Sequence, residues 1–151
     1  MKRVLRFLLI LIPWFIGGIL FRSDSIYYKS LNKPFFAPPG FLFGIIWPIL
    51  YILIAASIYK IFKNNSFSET HEYNKSLIIN YFSNQVFSFL FFIIKSPFLA
   101  LIDTLIVLIS SLFLYCETKE LDENASKYLI PYIVWNIFAS ILIISIFFMN
   151  V

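Results

Sequence analysis

Residues 40–62 read GFLFGIIWPILYILIAASIYKIF, and Lys60 is the only charged side chain in this run. About 20 apolar residues, each advancing roughly 1.5 Å along the axis, cross the hydrocarbon core of a bilayer as a helix. A helix that is apolar on every side is typical of a membrane span or of the core of a large protein. Because the whole chain has only 151 residues, this run predicts a transmembrane helix.

One apolar run precedes this stretch and three follow it, at residues 4–21, 76–94, 97–116 and 128–149. These runs are too long and too uniformly apolar for the alternating strands of a membrane β-barrel, which have about ten residues each. The first run follows basic residues, as in a signal peptide, but its length favours a retained span. The sequence therefore predicts an all-α integral membrane bundle of five transmembrane helices, with residues 1–151 as a single domain.

The overall composition agrees with a membrane protein, since 60% of the residues are hydrophobic, 13% are charged and the mean hydropathy is +0.85. The 12 lysines and arginines give a net charge of +4, but they are scattered between the apolar runs, which argues against nucleic-acid binding. Eight of them fall on the side of the N-terminus and four on the other. The positive-inside tendency therefore predicts a cytoplasmic N-terminus and an external C-terminus. The abundance of Ile, Lys, Asn and Phe is typical of an AT-rich bacterial genome, which places the protein in a bacterial cell membrane.

The loop after the first run contains the segment Lys33-Pro34-Phe35-Phe36-Ala37-Pro38-Pro39. Its three prolines hold the backbone extended and stiff, and the last two end where the second span begins. A rigid apolar loop of this kind is expected to pack over the helices. It either caps the bundle or closes a site for a ligand, and the residues alone leave both interpretations open.

Helical spacing places particular side chains on common faces of three runs, because residues three or four positions apart share a face. These faces carry Gly40, Gly44, Trp47, Tyr51 and Ala55 on the second run, Asn80, Asn84 and Ser88 beside Phe87 and Phe91 on the third, and Trp135, Phe138, Ala139 and Leu142 on the fifth. Amides that faced hydrocarbon would be costly, so these faces are predicted to point inward. The polar side chains either bond neighbouring helices or contact a ligand.

Motifs in the first loop and in four of the runs match a known pattern in their order and spacing. They are Lys33-Pro34, Pro38-Pro39, Phe43 and Trp47-x-x-Leu50-Tyr51, then Asn84-x-x-Phe87-Ser88-x-x-Phe91-Phe92, Asp103, Pro131-Tyr132-x-x-Trp135-x-x-Phe138-Ala139 and Asn150. Over nearly its whole length the chain resembles the TspO/MBR family, the tryptophan-rich sensory and translocator proteins also described as peripheral-type benzodiazepine receptors. Phe36 and Phe87 stand where the family usually has Trp, and Ile143 stands where many members have Asn.

The resemblance implies a membrane protein that binds a tetrapyrrole, either protoporphyrin or a haem-type macrocycle, and that requires no cofactor. It further implies a sensor or transporter in porphyrin handling or the stress response, a homodimer among membrane lipids, and in some members sterol or synthetic isoquinoline and benzodiazepine ligands. Stacked rings with a few polar groups suit such a flat macrocycle. The residues expected to form the site are Trp47, Tyr51, Asn84, Phe87, Phe91, Trp135 and Ala139, with Tyr28 and Phe36 closing it.

Two other functions remain open. One is an enzymatic activity attributed to some family members, the light-dependent, photo-oxidative degradation of bound protoporphyrin, in which Trp47 and Trp135 would donate electrons. The other is a structural or assembly role in the membrane without a small ligand. The sequence contains no phosphate-binding loop, nucleophile elbow or metal-ligand cluster, so a binding protein is favoured over an enzyme and no metal site is expected.

Asp103 is an acidic residue inside the fourth run, and an intramembrane carboxylate is a candidate functional group. Its expected partner is either Lys95, across the predicted tight turn between the third and fourth runs, or the amides Asn80 and Asn84. A hydrogen-bonded acid that ties helices together is the structural alternative.

Two small features carry separate expectations. The pair Gly40-x-x-x-Gly44 permits close helix approach, which leads either to dimerisation or to packing against the first loop. Cys116 is the only cysteine, so no disulfide can form within the chain, and it is predicted to be a buried free thiol.

Overall fold

The structure, a computed structural model, describes residues 2–151. Five of its helices are long and apolar enough to cross a membrane: span 1 (Lys2–Leu20), span 2 (Gly40–Asn64), span 3 (His71–Ile93), span 4 (Pro97–Leu121) and span 5 (Glu123–Met149). A short helix, Ser25–Ser30, lies in the first loop and is called the loop helix below. The predicted all-α membrane bundle of five spans is confirmed.

The ends of spans 3, 4 and 5 lie beyond the predicted boundaries of 76–94, 97–116 and 128–149, because helix continues into the polar residues 71–75, 117–121 and 123–127. An apolar run marks the part of a helix inside the bilayer, whereas the helix itself ends where its backbone groups are capped. Asp122 separates spans 4 and 5, and its carboxylate accepts a hydrogen bond from the Ala125 N–H at 2.9 Å. The polar stretch between the fourth and fifth apolar runs, residues 117–127, is therefore mostly helical.

The five spans form a closed ring in the order 1, 2, 5, 4, 3. Span 3 packs along span 4, span 4 packs along span 5, and span 2 contacts the first turns of span 5. Span 1 closes the ring because its first half contacts span 2 and its second half contacts span 3. The inward faces of spans 2, 3 and 5 consequently meet across one interior.

Polarity is distributed in the opposite sense to that of a soluble protein. Large apolar side chains such as Ile19, Phe113 and Val134 are exposed on the outside of the bundle, whereas the amides Asn80 and Asn136 are buried inside it. In a bilayer the exposed chains meet acyl tails, and the interior is the only place where a polar side chain finds partners. The inward orientation predicted for the third run is therefore confirmed for its amides.

Span 1 is interrupted where Pro13 cannot donate a backbone hydrogen bond. Its α-helix stops at Leu11 and resumes at Ile16 after a short 3₁₀ turn. Side chains of span 3 donate hydrogen bonds to main-chain carbonyl oxygens at this break. Tyr81 Oη donates to Pro13 O at 3.1 Å, and Gln85 Nε2 donates to Trp14 O at 3.3 Å. Span 3 thus satisfies polar groups that lipid could not.

The predicted tight turn between spans 3 and 4 is confirmed. Span 3 ends in a π-helical turn, Phe89–Ile93, and Lys95 then adopts a left-handed backbone conformation with φ of 57°. Ser96 caps span 4 by accepting a hydrogen bond from the Leu99 N–H at 3.3 Å, and Pro97 occupies its first turn. Spans 3 and 4 are antiparallel neighbours as a result.

Candidate ligand-binding site

A hydrogen-bonded chain of phenol and amide groups crosses the interior. Tyr51 Oη on span 2 donates to Asn84 Oδ1 on span 3 at 3.1 Å, and Asn84 Nδ2 donates to Tyr132 Oη on span 5 at 3.2 Å. Tyr132 Oη in turn donates to Asn80 Oδ1 at 3.0 Å. These four residues are called the interior network, and they join the three spans whose inward faces were predicted from helical spacing.

The interior network also reaches the two remaining spans. Asn80 Nδ2 donates to Val107 O at 3.1 Å and to Ser110 Oγ at 3.0 Å on span 4. Gln85, next to Asn84, accepts a hydrogen bond from the Gly17 N–H on span 1. Asn80 is 0% exposed and uses both its oxygen and its nitrogen within the protein, so it bonds the helices together.

Aromatic rings lie beside the interior network and are called the ring cluster, which consists of Phe43, Trp47, Tyr51, Trp135 and Phe138. Trp47 lies 5.5 Å from Tyr51 and 6.5 Å from Trp135 between ring centroids, and the two indoles are nearly perpendicular, at 87°. Trp135 also lies 5.9 Å from Phe43 and 5.2 Å from Phe138. Spans 2 and 5 therefore present a continuous aromatic wall in which the rings contact one another.

A second aromatic group lies nearer the first loop. Phe87 stacks on Phe91 with centroids 5.6 Å apart, and Phe91 is 3% exposed. Phe36 connects this region to the ring cluster, since its ring lies 6.2 Å from that of Phe138. The residues predicted to form the site are all buried or half-buried: Tyr28, Phe36, Trp47, Tyr51, Asn84, Phe87, Phe91, Trp135 and Ala139. Their role in binding stays a prediction.

Three buried polar atoms on spans 4 and 5 have no hydrogen-bond partner among the described residues. They are Trp135 Nε1, Asn136 Nδ2 and Asp103 Oδ2. A buried polar group without a partner costs about 1–3 kcal/mol, and such atoms are candidates for contact with a ligand. The indole nitrogen of Trp135 belongs to the ring cluster, so donor and aromatic surface occur together.

The expected partners of Asp103 were wrong. Lys95 Nζ lies 3.0 Å from Asp24 Oδ2, while Asn80 and Asn84 bond to Tyr132. The loop helix brings Asp24 to the turn after span 3, where water can reach both partners of the ion pair. Drawing the ammonium group into the bilayer toward Asp103 would require its desolvation, which is costly.

Two buried members of the interior, Tyr132 and Asn136, were not among the residues expected to form the site. Tyr132 precedes Trp135 by three residues and Asn136 by four, so helical spacing alone places all three on one side of span 5. Gln85 was also missed, because it faces span 1 and not the stripe that contains Asn84. The contact with span 1 depends on the break at Pro13, which sequence spacing does not reveal.

The first loop is held over the bundle on the side of spans 3 and 4. Asp24 caps the loop helix by accepting hydrogen bonds from the backbone N–H groups of Ile26 at 3.0 Å and Tyr27 at 2.9 Å. The same carboxylate pairs with Lys95, and Tyr27 Oη donates to Lys95 O at 3.2 Å. Asp24 therefore both ends the loop helix and fastens it to the neighbouring turn.

A second attachment holds the other end of the loop to span 5. Asn150 Oδ1 accepts from the Asn32 N–H at 2.9 Å, and Asn150 Nδ2 donates to Asn32 O at 2.8 Å. Lys33 Nζ donates to Tyr28 O at 2.6 Å and to Leu31 O at 2.8 Å, which folds the loop back on the end of its own helix. The loop covers the aromatic groups, as both of its predicted roles require.

The attachment through Asp24 is expected to depend on pH. Hydrogen bonds from the Tyr27 N–H and from Lys95 hold the pKa of Asp24 below its ordinary value of 3.8. A lowered folded-state pKa means that the carboxylate stabilises the loop above the ordinary pKa and loses this effect as pH falls through the lower one. Hydrogen-exchange protection of residues 26–30 should therefore fall below about pH 4. Asp24→Asn should reduce that protection at neutral pH and abolish its pH dependence; unchanged protection in this variant would contradict the attachment.

The two glycines of Gly40-x-x-x-Gly44 have different surroundings. A side chain at Gly40 would lie 3.6 Å from the Tyr28 ring, whereas nothing lies within 4 Å of the corresponding position at Gly44. Gly40 thus packs against the first loop, and dimerisation stays a prediction. Cys116 is exposed, so the expectation of a buried thiol was wrong; span 4 turns this residue toward the outside of the bundle.

The TspO/MBR family model matches residues 6–149. A tryptophan-rich protein TspO from Bacillus cereus is 36% identical over 137 residues, covering 91% of this chain and 89% of the relative. An uncharacterized membrane protein, YtaB, from Bacillus subtilis is 38% identical over 134 residues, covering 89% and 86%.

The similarity extends to eukaryotes. A translocator protein homolog from Schizosaccharomyces pombe is 31% identical over 127 residues, covering 81% of this chain and 75% of the relative. The family match covers most of span 1, all of spans 2 to 5, the first loop and the network and ring residues described above. The chain therefore belongs to the TspO/MBR family of integral membrane proteins.

Proposed function

We propose that this protein binds a flat tetrapyrrole, protoporphyrin or a haem-type macrocycle, between spans 2, 3 and 5 beneath the first loop. In this role it is a sensor or carrier in porphyrin handling or the stress response. The ring cluster supplies aromatic surface on which a macrocycle can stack. The Asn84 amide gives one N–H to Tyr132 and has a second N–H for the edge of the macrocycle. The bound state needs no cofactor.

One observation carries the proposal, the buried Trp135 indole N–H that has no acceptor among the described residues. Its ring already contacts Phe43, Trp47 and Phe138. An unpaired donor among apolar rings costs free energy that a ligand acceptor would recover. A planar ligand with nitrogen or carboxylate acceptors would stack on these rings and would accept the hydrogen bond of the Trp135 N–H.

Insertion of a macrocycle requires the rings to separate. Trp47 and Trp135 meet at 87° with centroids 6.5 Å apart, so they contact edge to face and not as parallel plates. Replacing such contacts by stacking on a macrocycle exchanges one aromatic interaction for another, each worth about 0.5–1.5 kcal/mol. The loop above is held by exposed groups, the Asp24 ion pair and the Asn32–Asn150 bonds, which water can replace when the loop moves.

Titration of the purified protein with protoporphyrin, followed by porphyrin absorbance and emission, tests the proposal. Saturable binding is expected, and Trp135→Phe, which keeps a ring but removes the N–H, should weaken it about tenfold, the worth of one hydrogen bond. Asn84→Ala should also weaken it. Trp14→Phe removes an indole of span 1 that meets the ring cluster at Tyr51, 5.8 Å away between ring centroids, and not at Trp135. It serves as the control, with affinity close to that of the unchanged protein.

Two results would favour the other functions. A new pigment that forms on illumination only when Trp47 is intact would favour photo-oxidative degradation of the bound porphyrin. Absence of saturable binding, in protein whose helical content and elution are normal, would contradict the proposal and favour an assembly role in the membrane.

A further inference from the structure

A groove lies between spans 1 and 2, away from the ring cluster and at the end of the bundle that carries the N-terminus. It encloses about 320 Å³ and is lined by Arg6, Leu9 and Ile10 of span 1 and by Tyr59, Phe62 and Lys63 of span 2. The lining therefore combines apolar and aromatic side chains with two cations. Because spans 1 and 2 run in opposite directions, the start of one and the end of the other place both cations at the same end.

The two cations have no acidic partner in the described part of the chain. The ion pairs among residues 2–151 are Glu72–Lys75, Asp24–Lys95 and Glu123–Lys127, and none involves the groove. Both Arg6 and Lys63 are exposed. A guanidinium and an ammonium group that line one groove without a carboxylate favour an anion with several oxygens, and phosphate is such an anion, which Arg can bind through two hydrogen bonds.

The apolar part of the groove is open to the surroundings. Leu9 is 64% exposed, and Ile10, Tyr59 and Phe62 are half-buried. Tyr59 is held from the other side by Phe7, whose ring lies 6.3 Å from it. An occupant that bears both a phosphate and a hydrocarbon chain would contact the two cations and the apolar lining together, whereas a free phosphate would contact the cations alone.

We infer that this groove binds an anionic phospholipid, with its phosphate between Arg6 and Lys63 and one acyl chain along Leu9, Ile10 and Phe62. Charge complementarity selects an anionic headgroup. Arg6 lies about one turn inside span 1 and Lys63 is the next-to-last residue of span 2, so the phosphate lies at the level of the membrane interface. The bound lipid would fill the gap between spans 1 and 2 and contact both helices. The inference concerns a location separate from the ring cluster and does not depend on tetrapyrrole binding.

Lipid binding to the purified, detergent-solubilised protein tests this inference by native mass spectrometry with phosphatidylglycerol and phosphatidylcholine of identical acyl chains. One phosphatidylglycerol should be retained in preference to phosphatidylcholine. The double variant Arg6→Gln, Lys63→Gln should weaken phosphatidylglycerol binding about thirtyfold, as expected for the loss of two basic residues at an anionic surface, and leave phosphatidylcholine binding unchanged. Lys119→Gln removes an exposed cation at the same end of the bundle but outside the groove, and should have no such effect.

Thermal unfolding provides a second measurement that does not depend on retention in the gas phase. Phosphatidylglycerol should raise the unfolding midpoint of the unchanged protein and of the Lys119 variant, but not that of the double variant. Equal stabilisation by phosphatidylcholine, by inorganic phosphate, or in the double variant would overturn the inference. Protoporphyrin affinity should be the same in all three proteins, so that failure of one proposal is distinguishable from failure of the other.

Discussion

Gly17→Ala is expected to destabilise the protein by about 1–3 kcal/mol, the usual effect of overpacking a close contact. A Cβ atom at this position would lie 2.8 Å from both the main-chain oxygen and the side-chain Oε1 of Gln85. The side chain can rotate away, but the main-chain oxygen belongs to span 3 and cannot move without displacing the helix. Spans 1 and 3 would therefore separate, and the hydrogen bond from the Gly17 N–H to Gln85 would be lost.

Gly18→Ala is the matched control, because nothing lies within 4 Å of the corresponding Cβ position. Alanine is favoured over glycine in a helix by up to about 1 kcal/mol, so this variant should be neutral or slightly more stable. Thermal unfolding in one detergent, with helical content checked by circular dichroism, compares the two variants. Equal midpoints for both would mean that spans 1 and 3 do not approach each other at Gly17.

Asn80→Leu is expected to cost about 2–3 kcal/mol, because it removes three hydrogen bonds that are each worth about 0.6–1 kcal/mol between membrane helices. Leucine has a similar size, so the loss should come from polarity and not from a cavity. It leaves Tyr132 Oη without its acceptor and removes the donor to Val107 O and Ser110 Oγ. The interior network would then no longer reach span 4 through this residue.

Asn64→Leu, at the exposed end of span 2, makes the same chemical change outside the network and should have little effect. Tyr132→Phe removes one of the same hydrogen bonds, so the double variant with Asn80→Leu should lose less stability than the sum of the two single losses. Strictly additive losses would indicate that Asn80 and Tyr132 are not coupled, contrary to their 3.0 Å contact.

The fold could be predicted from the sequence because lipid imposes simple rules. A run such as residues 40–62 has no stable alternative to a spanning helix, and amides such as Asn80 must turn inward. The helix ends could not be predicted from the same rules, since they depend on local caps such as Asp122 and not on apolar length. The position of the spans was therefore predicted better than their full extent.

The faces that carry the candidate site residues were predicted from the sequence, but the hydrogen-bond partners of those residues were not. Helical spacing identified the faces of Trp47, Asn84 and Trp135, but the partner of each polar atom depends on how far one helix is shifted along another. Tyr132 meets both Asn80 and Asn84 because of such a shift between spans 3 and 5. The pairing of Lys95 with Asp24 depends in turn on the loop helix, which the sequence pattern did not indicate.

Phe stands at two positions where the family pattern usually has Trp, so fewer indole N–H donors remain near the candidate site. Phe36 and Phe87 keep aromatic rings where the family usually has Trp, but neither offers an indole N–H. The chain retains three tryptophans, Trp14, Trp47 and Trp135, and only the last two belong to the ring cluster. Recognition of a ligand acceptor by an indole is therefore expected to rely on spans 2 and 5.

Nuclear magnetic resonance can follow the indole N–H resonances of these three tryptophans during titration with metal-free protoporphyrin, and so shows whether the macrocycle binds beside Trp135. Each resonance can be assigned from a single Trp→Phe variant. We expect the Trp135 signal to move most, saturably and in the direction of a newly formed hydrogen bond. The Trp47 signal should move with it, and the Trp14 signal should move least. A Trp135 signal that stays in place while porphyrin binds, or that moves no more than the Trp14 signal, would contradict a tetrapyrrole site between spans 2, 3 and 5.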